Sequence, residues 1–462
     1  MLLFCLGLNT FGSNKESDVD IWLTDPDKSI LFQKRSPMQL SFGNGSNINA
    51  SIINIDETQM YQSIDGFGFT LTGGSAMHIN RMKATARAAM LKELFSINDN
   101  DIGVSYLRIS IGASDLDEYV FSYNDLSRDE EADINMDQFS LAPDKTHLIP
   151  VLKEILAINP DIKIMSSPWS PPTWMKTNRN SIGGSLRPEY YNAYAKYFVK
   201  YIQEMKAEGI IIDAITIQNE PLHPGNNPSM LMLAEEQAAF VKQSLGPAFR
   251  ELGINTKIIL YDHNADRPDY PITVLNDLEA KQYVDGSAFH LYGGSIDALL
   301  QVHNAHPDKH IYFTEQWVGA PGNLKGDLMW HVKNLIIGAT RNWSRNVLEW
   351  NLAADPYLKP HTPGGCTQCL GAITIDGNNI TRNPAYYIIA HAAKFVRPDS
   401  VRIASNTPHK LPNVAFKTPN GKIVLIVLNE NDSSQTFNIC FNSNRLVVAT
   451  ELSAGTVGTY VW

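Results

Sequence analysis

Eight short apolar runs rich in β-branched residues recur through the middle of the chain, and helical stretches separate them. This alternation predicts an α/β fold, a TIM (β/α)8 barrel of parallel strands with crossover helices. At both ends of the chain the grammar changes to alternating apolar and polar residues broken by Gly/Asn/Ser clusters, which predicts a side β-sandwich domain built from both chain ends. The 462 residues have room for both units.

Residues 1–16 form an apolar leader remnant or tail: Met1 to Leu8 is apolar and the chain turns polar at Asn9, like the end of a secretory h-region, so a secreted or periplasmic protein is expected. Residues 17–60 supply the N-terminal strands of the side domain, with Val19-Asp-Ile21-Trp-Leu23 and Ile48-Asn-Ala50-Ser-Ile52-Ile53-Asn-Ile55 alternating at period two. Residues 61–371 make the barrel. Its strands are expected at 63–70, 104–111, 162–167, 214–219, 257–262, 286–292, 311–315 and 347–351. Between them, Tyr190, Tyr194, Tyr197, Phe198, Tyr201, Ile202 and Met205 form one helical stripe, and Met82–Phe95 reads as a second helix rich in Ala, Leu, Met and Lys. Residues 372–462 return to strand, with turns at Asn420-Gly421 and Asn431-Asp432.

Composition excludes several function classes. With 44% hydrophobic and 19% charged residues the chain can bury a core and is not disordered. The formal charge is −10 and no Lys/Arg run is present to neutralise phosphates, so nucleic acid is not an expected partner. No apolar stretch reaches the ~20 residues of a membrane span. Cys366 and Cys369 are the only closely spaced pair among four cysteines, which excludes a four-cysteine zinc site and leaves a local disulfide or two loop thiols. Gly66 and Gly68 miss the dinucleotide fingerprint because Leu71 occupies its third glycine position, and neither a phosphate-loop Lys nor His-Glu-x-x-His occurs, so no cofactor and no metal are expected. His78, His147, His223 and His263 read as rim or surface residues.

In such a barrel the chemistry sits at the C-terminal ends of the strands. There the fourth run closes with Gln218-Asn219-Glu220-Pro221, the seventh with Phe313-Thr314-Glu315-Gln316-Trp317, and the third with Ser167-Pro168-Trp169-Ser170-Pro171-Pro172. Glu220 and Glu315 stand about three βα units apart, so both point into one rim crevice. Two carboxyls facing a cleft lined by Trp169, Trp174, Trp317 and Trp350 suit glycoside hydrolysis: sugars stack their C–H faces on aromatic rings, and acetal cleavage needs an acid on the leaving oxygen and a carboxylate at the anomeric carbon. Burial and the opposing charge are expected to keep Glu220 protonated, and a cation such as Arg108 to keep Glu315 ionised. Arg108 has a competing use in a rim salt bridge with Asp115 or Asp262. Asn219 is placed to hydrogen-bond a sugar 2-hydroxyl.

The motifs Asp65-Gly-Phe-Gly68, Tyr106-Leu-Arg108-Ile-Ser110, Ser167-Pro-Trp-Ser-Pro-Pro-Thr-Trp-Met-Lys-Thr-Asn178, Gln218-Asn-Glu-Pro221, Phe289-His-Leu-Tyr292, Thr314-Glu315 and Glu349-Trp-Asn-Leu352 resemble glycoside hydrolase family 30, which includes acid β-glucocerebrosidase. The resemblance runs from about Trp22 to Trp462 and includes the family's side β-domain. It implies a retaining β-glycosidase with Glu220 as acid/base and Glu315 as nucleophile, and a sugar site lined by Arg108, Trp169, Asn219, His290, Tyr292 and Trp350. The implied partner is a carbohydrate, β-1,6-glucan ahead of glucosylceramide. Two features carry that preference: the Cys366–Cys369 loop looks like the family's β-1,6-glucanase branch, and Gly73 stands where the glucocerebrosidase-like pattern has an Asp gripping the sugar's outer hydroxyls, which would leave room for a glucose linked through O6. A non-catalytic carbohydrate-binding protein on the same fold is the alternative class, and it need not keep both carboxylates.

Overall fold

The structure is a computed structural model describing residues 18–39, 50–441 and 446–462, so the leader at 1–16 and Ile48 lie outside the described residues. In chain order the strands are β1 (Asp18–Thr24), β2 (Gln33–Gln39), β3 (Ser51–Ser63), β4 (Gly66–Thr70), β5 (Tyr106–Ile111), β6 (Lys163–Pro168), β7 (Ala214–Thr216), β8 (Lys257–Ala265), β9 (Val284–Gly294), β10 (His310–Glu315), β11 (Val318–Gly319) and β12 (Ser344–Asn351). After them come β13 (Ala353–Ala354), β14 (Cys369–Leu370), β15 (Ile373–Asp376), β16 (Asn379–Arg382), β17 (Val401–Ser405), β18 (Asn413–Lys417), β19 (Ile423–Leu428), β20 (Gln435–Phe441), β21 (Leu446–Leu452) and β22 (Val457–Val461).

Strands β4 to β10 follow one another in parallel, and β12 closes the barrel between β10 and β4. All eight expected runs therefore become barrel strands. Their period-two alternation explains what lies inside. Tyr106, Met165, Ala214, Ile259, Ala288, Tyr312 and Leu348 form one apolar cluster within the barrel. Two residues further along each of these strands except β8, on the same face, stand Arg108, Ser167, Thr216, His290, Thr314 and Trp350. The strand pattern thus builds an apolar floor and a polar layer above it.

The side domain is one nine-stranded sheet in the order β2-β1-β22-β19-β18-β17-β3-β20-β21, in which β1 pairs antiparallel with β22 and β3 pairs with β17 and β20. It curls so that its two arms share a core: Val19, Ile21, Leu425, Val427 and Tyr460 pack with Ile53, Ile55, Phe437 and Ile439, and the Phe437 and Tyr460 rings meet edge to face at 6.2 Å. The unbroken apolar run of β19 follows from burial on both faces. Leu425 and Val427 face this core, whereas Val424, Ile426 and Leu428 join the barrel's core. Trp22 likewise turns toward the barrel, against Phe32 and Phe395.

Two element boundaries differ from the sequence reading. The helix expected from Met82 starts at Ala84, because Met82 has extended backbone and caps a separate helix, Gly73–Arg81. The last barrel helix is Pro384–Ala393, inside the 372–462 stretch read as side-domain strand; Pro384 opens it, and its apolar faces pack on β4 and the helix at 324–331.

Candidate active site

Arg108 is fully buried at the centre of the polar layer. Its guanidinium donates to Glu315 Oε2 at 2.5 Å, Asp262 Oδ2 at 2.8 Å, Asn219 Oδ1 at 2.7 Å and Ser167 Oγ at 3.1 Å. It also lies over the rings of Trp169 and Trp350, at 4.8 and 5.7 Å from their centroids. Both uses foreseen for Arg108, beside Glu315 and in an ion pair with Asp262, are realised together; Asp115 is not its partner. Asp262 is the least accessible acid of the group. It accepts from Arg108, Thr216, Thr314 and His290, which holds its carboxyl far below the ordinary range against the cost of burial.

Period two along β8 would put Tyr261, not Asp262, in the barrel. A bulge intervenes: Tyr261 and Asp262 adopt φ of 71° and 63°, the register against β9 shifts there, and the Asp262 side chain turns inward. Glu220 also sits in the left-handed region, at φ 45°, and its N–H donates to the Asp262 carbonyl at 3.0 Å. Backbone strain at three adjoining non-glycine positions is a mark of functional sites.

Glu220 and Glu315 meet His290. The His290 Nδ1 is 3.1 Å from Glu220 Oε1 and 3.8 Å from Glu315 Oε1, and its Nε2 is 3.0 Å from Asp262 Oδ1. Tyr292 donates its hydroxyl to Glu315 Oε1 at 2.9 Å. Burial alone would lower the His290 pKa, but Glu315, Asp262 and Glu220 more than offset it and hold it at about 9. The charge distribution expected from sequence is therefore corrected. Burial does raise Glu220, yet the imidazolium of His290 outweighs it and brings Glu220 below its ordinary value. Glu315 is raised by burial and by the neighbouring carboxylates, with His290 and Arg108 opposing. The three carboxylates around His290 thus favour its protonated form. One ligand atom from each of Glu220, His290 and Glu315 lies within 4.8 Å of the others, and the His290 Nδ1 is in hydrogen-bond reach of Glu220.

A cleft of about 570 Å³ opens over these groups, lined among others by Trp169, Asn219, Glu220, Tyr292, Glu315, Trp317 and Trp350. Trp174, expected in this wall, is instead buried in the core, and its Nε1 donates to Asn124. His223 and His263, read as rim residues, line the cleft beside Glu220; His263 Nδ1 is 3.8 Å from Glu220 Oε1, and burial lowers its pKa to about 4. Asp115 is a cleft residue that sequence reasoning missed as such. Its Oδ2 accepts the Cys366 N–H at 3.0 Å, and its own backbone N–H also hydrogen-bonds the carboxyl, at the wall of the cleft. Cys366 and Cys369 form a disulfide.

Gly73 does not face the cleft. A Cβ built there would stand 1.6 Å from Asp117 Oδ1, and Asp117 is fixed by the N–H and hydroxyl of Ser114 at 2.7 and 2.8 Å. The room that the sequence reading attached to residue 73 is filled, and the nearby acid that reaches the cleft is Asp115. Gly73→Asp should accordingly damage folding rather than tune specificity, lowering stability by about 3 kcal/mol or more through overlap and a second buried carboxylate. Thermal melting checks this; an unchanged melting temperature would contradict it.

Three buried acids set a pH dependence of stability. Burial raises Asp115, Asp117 and Asp144 to about 7 each, with backbone and side-chain donors such as the Tyr123 hydroxyl on Asp144 opposing. A carboxyl raised in the folded state contributes stability below its unfolded pKa of about 3.9 and loses it as pH climbs through 7. Asp262, depressed, acts in the opposite sense at low pH. The melting temperature should therefore be higher at pH 5 than at pH 8, and Asp144→Asn should flatten that slope; a melting temperature rising from pH 5 to 8 would refute it.

The glycosyl hydrolase family 30 TIM-barrel domain matches residues 64–396, and the family's β-sandwich domain matches residues 399–460. The endo-1,6-beta-D-glucanase neg1 of Aspergillus fumigatus is 33% identical over 416 residues, covering 84% of this chain and 83% of that protein. A putative glucosylceramidase 1 of Caenorhabditis elegans is 30% identical, over 81% of this chain and 75% of its own. The solved structure of the endo-beta1,6-glucanase BT3312 superposes with a TM-score of 0.89 at 36% identity, covering 96% of this chain and 99% of its own. With both family domains matched in order and the expected barrel and side sheet in place, this chain belongs to glycosyl hydrolase family 30 and is a glycosidase.

Proposed function

We propose that the protein hydrolyses β-1,6-linked glucan by a retaining double displacement, with Glu315 as nucleophile and Glu220 as acid and then base. The observation that carries the mechanism is that one oxygen of each carboxyl lies within 4.8 Å of the other across one cleft. Retaining pairs stand about 5–5.5 Å apart, whereas inverting pairs need roughly 6.5–9.5 Å to admit a water.

In the first step a Glu315 oxygen attacks the anomeric carbon, the glycosidic C–O bond breaks, and Glu220 gives its proton to the leaving oxygen. Arg108 and Tyr292 hold the Glu315 carboxylate in line for that attack. Glu220 draws its proton from His290, whose Nδ1 is in hydrogen-bond reach. In the second step Glu220 takes a proton from water, and the resulting hydroxide oxygen displaces Glu315 from the sugar. Asn219, with Oδ1 held by Arg108, keeps Nδ2 available for the 2-hydroxyl. Trp169 and Trp350, with centroids 5.3 Å apart, present apolar faces to the ring, and Asp115 in the cleft wall is placed to accept an outer hydroxyl.

The linkage preference rests on likeness to endo-1,6-glucanases at 33% and 36% identity. Parallel digestion of β-1,6-glucan, β-1,3-glucan and glucosylceramide tests it. Short gluco-oligosaccharides or glucose should appear fastest from the β-1,6-glucan; faster hydrolysis of glucosylceramide would transfer the assignment to that lipid. The Cys366–Cys369 disulfide supports a secreted or periplasmic location, since such bonds persist in oxidising compartments.

A further inference from the structure

The loop between β13 and β14 returns over the cleft and ends in a four-residue ring closed by Cys366 and Cys369. So small a ring removes little chain entropy, so global stability is a weak reason for it. Its surroundings offer a stronger one. Both cysteines pack with Leu116, Trp169, Trp350 and Trp317 in an apolar cluster distinct from the main core, so the disulfide touches the aromatic walls of the sugar site. The ring also makes directed contacts on three sides. The Cys366 N–H donates to Asp115 Oδ2 at 3.0 Å. Cys369 pairs with Gly319 in β11, two residues after Trp317, and the Ala320 N–H donates to the Gln368 carbonyl at 2.9 Å. Asn351, next to Trp350, reaches the Cys369 carbonyl at 3.5 Å.

We propose that the Cys366–Cys369 disulfide is a positioning element of the sugar site, which holds Asp115 and Trp317 in the geometry that grips the glucose ring. Asp115 is buried beside Glu315 and Glu220, and the Cys366 N–H is the donor from the ring that favours its charged, hydroxyl-accepting form. An open loop turns that N–H away, and Asp115 loses the donor that orients its carboxyl and opposes the burial that raises its pKa. This rests on the sugar-site reading of the cleft and not on the β-1,6 linkage.

The test measures binding of the glucose-configured iminosugar 1-deoxynojirimycin by calorimetry, and kcat/KM on 4-nitrophenyl β-glucoside. The proteins are wild type, the Cys366→Ser/Cys369→Ser double variant, Asp115→Ala, and their combination. Losing a charge-assisted hydrogen bond should weaken iminosugar binding about tenfold in the disulfide-free protein, but less than about twofold when Asp115 is already Ala. Thermal melting should change little between wild type and double variant. Reduction of the wild type with a phosphine should reproduce the loss and reoxidation should reverse it, which keeps the test intact if the double variant does not fold. Equal losses in both Asp115 backgrounds, unchanged binding after reduction, or a large fall in melting temperature with binding retained would each overturn the proposal. Because the probes carry a single glucose, failure of the β-1,6 assignment would show only in the glucan digestion.

Discussion

Glu315→Gln should abolish turnover on every β-glucoside, aryl glycosides included, with kcat/KM falling about 10⁴-fold or more, or about 5.5 kcal/mol of transition-state stabilisation. The amide keeps the shape of the carboxylate but cannot form the glycosyl ester, and it places an uncharged group against the Arg108 guanidinium at a 2.5 Å contact. Glu220→Gln should behave differently. Without a general acid, natural substrates lose their activity, while dinitrophenyl glucosides, whose leaving group needs little protonation, should still form the glycosyl-enzyme and then stall at hydrolysis. Pre-steady-state bursts separate the two variants. Residual turnover of Glu315→Gln near wild type, or identical losses for Glu220→Gln on every leaving group, would reverse or remove the assigned roles.

The second large effect belongs to a residue that need not touch the sugar. Asp262→Asn should destabilise the fold by about 3–5 kcal/mol, because it breaks a fully buried ion pair and leaves the Arg108 cation undercompensated. The same change removes an anion from His290 Nε2, at 3.0 Å, so the imidazole should titrate below its present value of about 9. If His290 supplies the proton that Glu220 uses, as proposed, the alkaline limb of the kcat/KM profile should move to lower pH. Melting and a pH profile together separate the effects: lost stability with an unmoved alkaline limb would limit Asp262 to a structural role.

The contrast between Glu315 and Asp262 marks where sequence reasoning reaches and where it stops. Glu220, Glu315, Arg108 and Trp350 were legible because chemistry gathers at strand ends, and a strand's period of two says which residues share a face. Asp262 was legible only as a candidate partner of Arg108, because a bulge with two left-handed residues inverts the face it would otherwise occupy. Asp115 lies on a loop, oriented by an N–H from a residue 251 positions away, a relation no local pattern carries. Gly73 was misjudged for the same reason: the motif told its position in the chain, but only the packing of Asp117 shows that its missing side chain points away from the cleft. The barrel's strands were readable from eight apolar runs, whereas the helix Pro384–Ala393 hid in an apolar segment between strand-like stretches. The reversed charge distribution came from His290, whose position between three carboxylates is a product of tertiary structure.

The most direct measurement of the central claim is the anomeric configuration of the sugar first released from β-1,6-glucan, followed by proton NMR before mutarotation. Two successive displacements at Glu315 and at water must return the β-anomer. Appearance of the β-anomer ahead of the α-anomer is the predicted result; the α-anomer appearing first would mean direct attack by water and would contradict the assignment of Glu315 as nucleophile.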